Sequence, residues 1–86
     1  MTVRILLVDD HELMREGLRS LLERTGDFEC IAEADDGYQA VKLAIEMRPD
    51  VVIMDIAMPN LNGIEATRQI KSELPEVEVV VLSMHA

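Results

Sequence analysis

Val51-Val52-Ile53-Met54-Asp55 is the stretch whose reading decides the fold. Four apolar residues follow one another without polar alternation, and an acid closes the run. A strand covered on both faces reads this way, and strands of that kind belong to the middle of a parallel sheet. Towards the N-terminus, Ala40, Val41, Ala44, Ile45 and Met47 recur at helical spacing until Pro49 stops them. Asp36-Gly37-Tyr38-Gln39 reads as the capping box that opens this helix. Before it, Glu29 to Ala34 reads as a strand, with Glu29, Ile31 and Glu33 on one face and Cys30, Ala32 and Ala34 on the other. A partly charged face marks an edge strand.

Further out, Leu13, Met14, Leu18, Leu21 and Leu22 predict a first helix, with Arg15, Glu16, Arg19 and Glu23 on its other face. Gly17 inside it costs about 1 kcal/mol against Ala, which suggests close packing there. Gly26 fits its C-terminal cap. Val3 to Val8 reads as the first strand, ending at Asp9 and Asp10. On the other side, Asn62-Gly63-Ile64-Glu65 starts a third helix carrying Ile64, Thr67, Ile70 and Leu74 up to Pro75. Val77 to Leu82 is a fourth strand, ending at Ser83. The order βαβαβαβ, with short loops, implies an α/β domain: a doubly wound parallel sheet with helices on both faces.

In the strand order 2-1-3-4, the fourth strand lies at an edge although Val79, Val80, Val81 and Leu82 are apolar on both faces. Such an edge is a strand-pairing hazard. Either a fifth strand and two further helices are missing from residues 1–86, or a second copy covers the edge as a homodimer; the two are compatible. The 86 residues make one domain at most, with a thin stability margin.

A net charge of −9 and only two aromatics, Phe28 and Tyr38, argue against nucleic-acid binding, since phosphates are repelled and bases find no stacking platform. The single cysteine, Cys30, excludes an internal disulfide and reads as a buried structural thiol. No apolar run is long enough to span a membrane, and Arg4, four apolar residues and Asp9 do not make a signal peptide. A reducing compartment is expected, the cytoplasm.

Asp9 and Asp10 follow the first strand and Asp55 the third. In a 2-1-3-4 sheet these strands are neighbours, and the crevice between them is where such folds place ligands. Three crowded carboxylates repel one another unless a cation joins them, and Mg²⁺ suits oxygen donors. A carboxylate can attack phosphorus to form an acyl phosphate, and Ser83 at the adjacent strand tip could donate to the added group. Taken singly these residues mean less. Asp10 could cap the first helix, Asp55 could be a turn residue, and Ser83 alone signals nothing. His11 reads as a solvated first-turn residue and His85 as a tail residue, while Met54, Met58 and Met84 read as packing. Convergence at one end of the sheet lifts the site reading.

With these residues in view, the sequence resembles the receiver domains of bacterial two-component response regulators, most closely the NarL/FixJ subfamily. The resemblance rests on Val3-Arg4-Ile5-Leu6-Leu7-Val8-Asp9-Asp10-His11, Pro49-Asp50-Val51-Val52-Ile53-Met54-Asp55-Ile56-Ala57-Met58-Pro59, Gly63 and Val79-Val80-Val81-Leu82-Ser83. It implies a flavodoxin-like (CheY-like) sheet, incomplete here with three helices, and residues 1–86 as a partial receiver domain without an output domain. It implies Asp55 as phosphoacceptor, and Asp9, Asp10 and Asp55 with the backbone carbonyl of Ala57 as the Mg²⁺ site. Ser83 would fill the switch hydroxyl position, and Pro59 and Gly63 would shape the loop after the acceptor. A sensor histidine kinase would donate the phosphoryl group, and the parent protein would regulate transcription through a DNA-binding domain. The family's lysine after a fifth strand has no match, since Lys42 and Lys71 lie on helices. An aspartate-based phosphohydrolase is disfavoured, because such enzymes carry a second acid where Ala57 stands. The competing expectation is a phosphorylation-impaired, self-associating fragment.

Overall fold

The computed structural model describes residues 2–56, 58 and 60–82. Seven elements alternate in chain order: β1 (Val3–Val8), α1 (Glu12–Arg24), β2 (Phe28–Ala34), α2 (Gly37–Met47), β3 (Val51–Asp55), α3 (Gly63–Glu73) and β4 (Glu78–Leu82). All neighbouring strands pair in parallel, in the order β2-β1-β3-β4. This is the expected doubly wound order. No helix among the described residues is long and apolar enough to cross a membrane.

Alternation along β1 explains the layering. Leu6 and Val8 point to the face that also carries Val52 and Met54, and there they join Ala40 and Ala44 of α2 and Ala66 and Ile70 of α3 in one buried cluster. Ile5 and Leu7, also buried, point to the opposite face, on which α1 lies against β1 and β2. The three alanines are fully buried. Their small side chains let α2 and α3 approach the sheet and each other closely.

Local chemistry sets the ends of the elements. Asp36 and Asn62 each accept a hydrogen bond from the backbone N–H three residues on, at 2.8 and 2.9 Å, and so cap α2 and α3. The Gln39 side chain reaches back to the N–H of Asp35, one residue earlier than a capping box requires. Gly26, at φ 79°, ends α1 in the left-handed conformation that glycine adopts freely. Arg48 is left-handed as well and precedes Pro49 at the end of α2. At that end of the sheet, Arg4 donates from Nη1 and Nη2 to the carbonyls of Arg48 and Met47 at 2.7 and 2.8 Å.

Several expectations are corrected. In β2 the register shifts, with Ile5 opposite Cys30 but Leu6 opposite Ala32, so Ile31 is an extra, bulged residue. Cys30 therefore lies on the α1 side with Ile5, not with Ala32 and Ala34, and it is only half-buried. Partial burial, with Glu23 adding to it, pushes its thiol above the usual range. Helix α1 buries no residue completely. Met14, Leu18 and Leu22 face the sheet, whereas Leu13, about 140° around the helix from Leu18, is mostly exposed. Leu21 at the margin of the stripe is exposed too. In α3 Ile64 is exposed, and the buried stripe runs through Gly63, Ala66 and Ile70.

The glycines divide sharply. Around Gly17 a Cβ would meet nothing within 4 Å, so close packing does not explain it. A Cβ on Gly63 would collide with the backbone carbonyl oxygen of Asp55, and one on Gly37 with that of Leu61. In both cases the added Cβ meets backbone, which cannot swing aside as a flexible side chain would. Gly63→Ala is therefore expected to lower stability by about 1–3 kcal/mol. Gly17→Ala is expected to raise it by roughly 0.5–1 kcal/mol. Urea denaturation followed by circular dichroism checks both.

Candidate functional site

Register brings the acids together. Val8 of β1 lies beside Met54 of β3, so the next residue on each strand path, Asp9 and Asp55, share one end of the sheet. Both are buried, at 3% and 2% exposure, which is unusual for carboxylates. Asp9 extends the β1–β2 ladder by donating its N–H to the carbonyl of Ala34 at 3.1 Å, and Ile56 extends β3–β4 by donating to Leu82 at 3.3 Å. On the other flank, Gly63 at the start of α3 donates its N–H to the Ile56 carbonyl at 3.0 Å. The missing side chain at Gly63 is what lets α3 sit against the backbone of Asp55.

Asp10 does not cap α1. The residue at the cap position is His11, whose backbone is extended and whose side chain makes no capping bond. Asp9 takes over the turn: its Oδ1 accepts from the backbone N–H of His11 and lies 2.8 Å from His11 Nδ1. His11 Nδ1 is also 3.1 Å from Asp10 Oδ1. Asp10 is left at the exposed rim with its carboxylate turned to the imidazole.

Asp9, Asp10, His11 and Asp55 each offer a ligand atom, and these four atoms lie within 4.8 Å of one another. The donor set is three hard carboxylates and one imidazole, which fits a divalent cation. The structure thus joins all three acids expected from the sequence. It adds His11, which the sequence reading sets aside as a solvated residue because nothing local in Asp-Asp-His distinguishes a ring turned to its neighbours. Ala57, Pro59 and Ser83, with Met84 and His85, lie outside the described residues. Of the expected loop residues Pro59 and Gly63, Gly63 is placed against the site.

The response regulator receiver domain family matches residues 5–86. The chain is 49% identical over 81 residues to the transcriptional regulatory protein LiaR of Bacillus subtilis (strain 168), covering 94% of this chain and 38% of that protein. It is 46% identical over 83 residues to the transcriptional regulatory protein DegU of Brevibacillus brevis, covering 96% and 35%. The chain thus spans well under half the length of these relatives. A LuxR-family two-component response regulator from Aurantimonas sp. SI85-9A1 superposes with a TM-score of 0.93 at 43% identity, over 100% of this chain and 61% of that one.

His11 carries a pH-dependent prediction. The hydrogen bond to Asp9, and next the charge of Asp10, raise its imidazole above the ordinary value of about 6.5. A raised value means that protonated His11 favours the folded state: that contribution is complete below the unfolded value and fades as pH rises through the folded one. In metal-free protein, ¹H NMR titration of the His11 ring should give a midpoint above 6.5, and Asp9→Asn should bring it down.

Proposed function

We propose a function on one premise: the chain belongs to the response regulator receiver domain family. It is the phosphoacceptor module of a two-component signal transduction system, and Asp55 takes the phosphoryl group. The observation that carries this reading is the meeting of Asp9, Asp10 and Asp55 within 4.8 Å where β1 and β3 end. Asp9, Asp10 and Asp55 would hold Mg²⁺, joined by the backbone carbonyl of Ala57. When bound, the ion supplies positive charge for the oxygens of the phosphoryl group in transfer.

The protein's own residues do the rest. A carboxylate oxygen of Asp55 forms a bond to phosphorus while the bond from phosphorus to the donor breaks, and the donor leaves with its electron pair. For a phosphohistidine on a sensor histidine kinase, the bond that breaks is P–N. Asp9 and Asp55 are buried, so the exposed residues Asp10 and His11 form the rim facing the donor. Ser83 serves as the switch hydroxyl, donating a hydrogen bond to the group once it is on Asp55. No catalytic turnover of a separate substrate is involved; the chemistry is limited to self-phosphorylation and loss of the phosphoryl group. LiaR and DegU are named as transcriptional regulatory proteins, and residues 1–86 correspond to receiver sequence within such a regulator. Control of transcription in the cytoplasm, with DNA contact through another domain, is assigned to that longer protein.

A second reading rests on β4. Val80 and Val81 are 47% and 40% exposed, and among the described residues β4 pairs with β3 alone. An apolar edge of this kind supports a homodimer formed along it.

Three expected outcomes test these readings. Calorimetric titration should show Mg²⁺ uptake by the chain and its loss in Asp55→Ala; identical isotherms for the two would remove the site. Acetyl phosphate should add one phosphoryl group by intact mass, and none to Asp55→Asn. Light scattering should show mass rising with concentration, and Val80→Lys should return the protein to monomer.

A further inference from the structure

The geometry points to Arg15 as a positioning residue for the acid site, acting through the backbone of Asp9. The inference rests on the reading of Asp9, Asp10 and Asp55 as the Mg²⁺ site and names what holds that site in shape.

Arg15 stands on α1, on the face expected from the sequence to be solvated, yet its side chain is only 16% exposed. Its fork makes two different contacts. Nε donates to Glu33 Oε1 on β2 at 2.9 Å, and Nη1 donates to the backbone carbonyl of Asp9 at 2.5 Å. The second oxygen of Glu33 accepts from Arg19 Nη1 at 2.8 Å, so the acceptor is itself held from the next turn of α1. One guanidinium therefore ties β2, α1 and the β1–α1 junction together.

The target of the second contact matters most. Asp9 has its N–H committed to Ala34 and its carbonyl to Arg15. The peptide that follows Asp9 is thereby fixed, and with it the directions in which Asp10 and His11 leave the strand. Like charges at Asp9, Asp10 and Asp55 push these residues apart, so the junction has to be restrained from outside the cluster. Arg15 supplies that restraint without pointing its charge at the ligand atoms, because its own charge is matched by Glu33. A planar fork can serve both acceptors at once, whereas a lysine offers a single nitrogen on a flexible stem. Support of this kind around a metal site typically governs affinity without touching the ion.

Arg4 gives an internal control. It too makes two guanidinium hydrogen bonds, here both to backbone carbonyls and at the far end of the sheet, those of Arg48 and Met47. Arg4→Lys should lower the denaturation midpoint and leave Mg²⁺ affinity unchanged. Arg15→Lys should weaken Mg²⁺ binding about tenfold, measured by calorimetry at a temperature where circular dichroism shows the variant folded. It should also shift the backbone amide NMR signal of His11, whose N–H is held by Asp9 Oδ1; Arg4→Lys should not. Glu33→Gln should weaken binding in the same direction by less, and it decides the matter alone if Arg15→Lys does not fold. Wild-type binding that Asp9→Asn abolishes, but that Arg15→Lys and Glu33→Gln leave intact, overturns the role of Arg15 alone. A wild-type chain that takes up no Mg²⁺ overturns the parent reading and this one with it.

Discussion

Two parallel strands, β1 and β3, run side by side with Val8 next to Met54. Everything at the site descends from that register. A shift of one residue would exchange the two faces of a strand, withdraw Leu6 and Val8 from the α2–α3 cluster, and carry Asp9 away from Asp55. Burial of the apolar residues on both faces of these strands thus enforces the placement of two acids that would otherwise avoid each other. The favourable term is area removed from water, roughly 25 cal/mol per Å². The unfavourable term, crowding of like charges, is confined to the one end of the sheet where solvent or a cation can relieve it.

The same logic explains why the site's supports are backbone contacts. Gly63 lets α3 approach the carbonyl of Asp55 closely. Asp36, besides capping α2, lies 3.4 Å from Asn60 Nδ2, and Gly37 sits against Leu61. The segment after β3 is therefore seated on the start of α2, while the segment after β1 is held by Arg15. Regular elements flank the acids on each side, and Asp10 and His11 form the exposed rim.

Much of this was legible in the sequence because it depends on composition along a single strand or helix. Unbroken apolar runs ending in acids marked β1 and β3 as central and placed Asp9, Asp10 and Asp55 together. Asn62, Asp36, Pro49 and Pro75 marked helix ends through local backbone chemistry. What was not legible depends on partners distant in the chain. Nothing near Ile31 announces a bulge, since the extra residue exists only relative to β1. Gly17 and Gly63 look alike until their surroundings are known. Arg15 reads as one more polar residue of an amphipathic helix, because its acceptors on Asp9 and Glu33 come from other elements. His11 was set aside for a similar reason: adjacency in sequence does not say which way a ring turns.

The bulge at Ile31 makes the two outer margins of the sheet unequal. On the β2 side the ladder is kinked and carries Glu29 and Glu33, features that discourage a further strand. On the β4 side the margin is regular and rich in valine. Head-to-tail polymerisation needs two receptive margins on each molecule, one to give and one to take. Among the described residues the kinked, acidic β2 margin withholds one of the two, so strand-on-strand growth through that side is blocked.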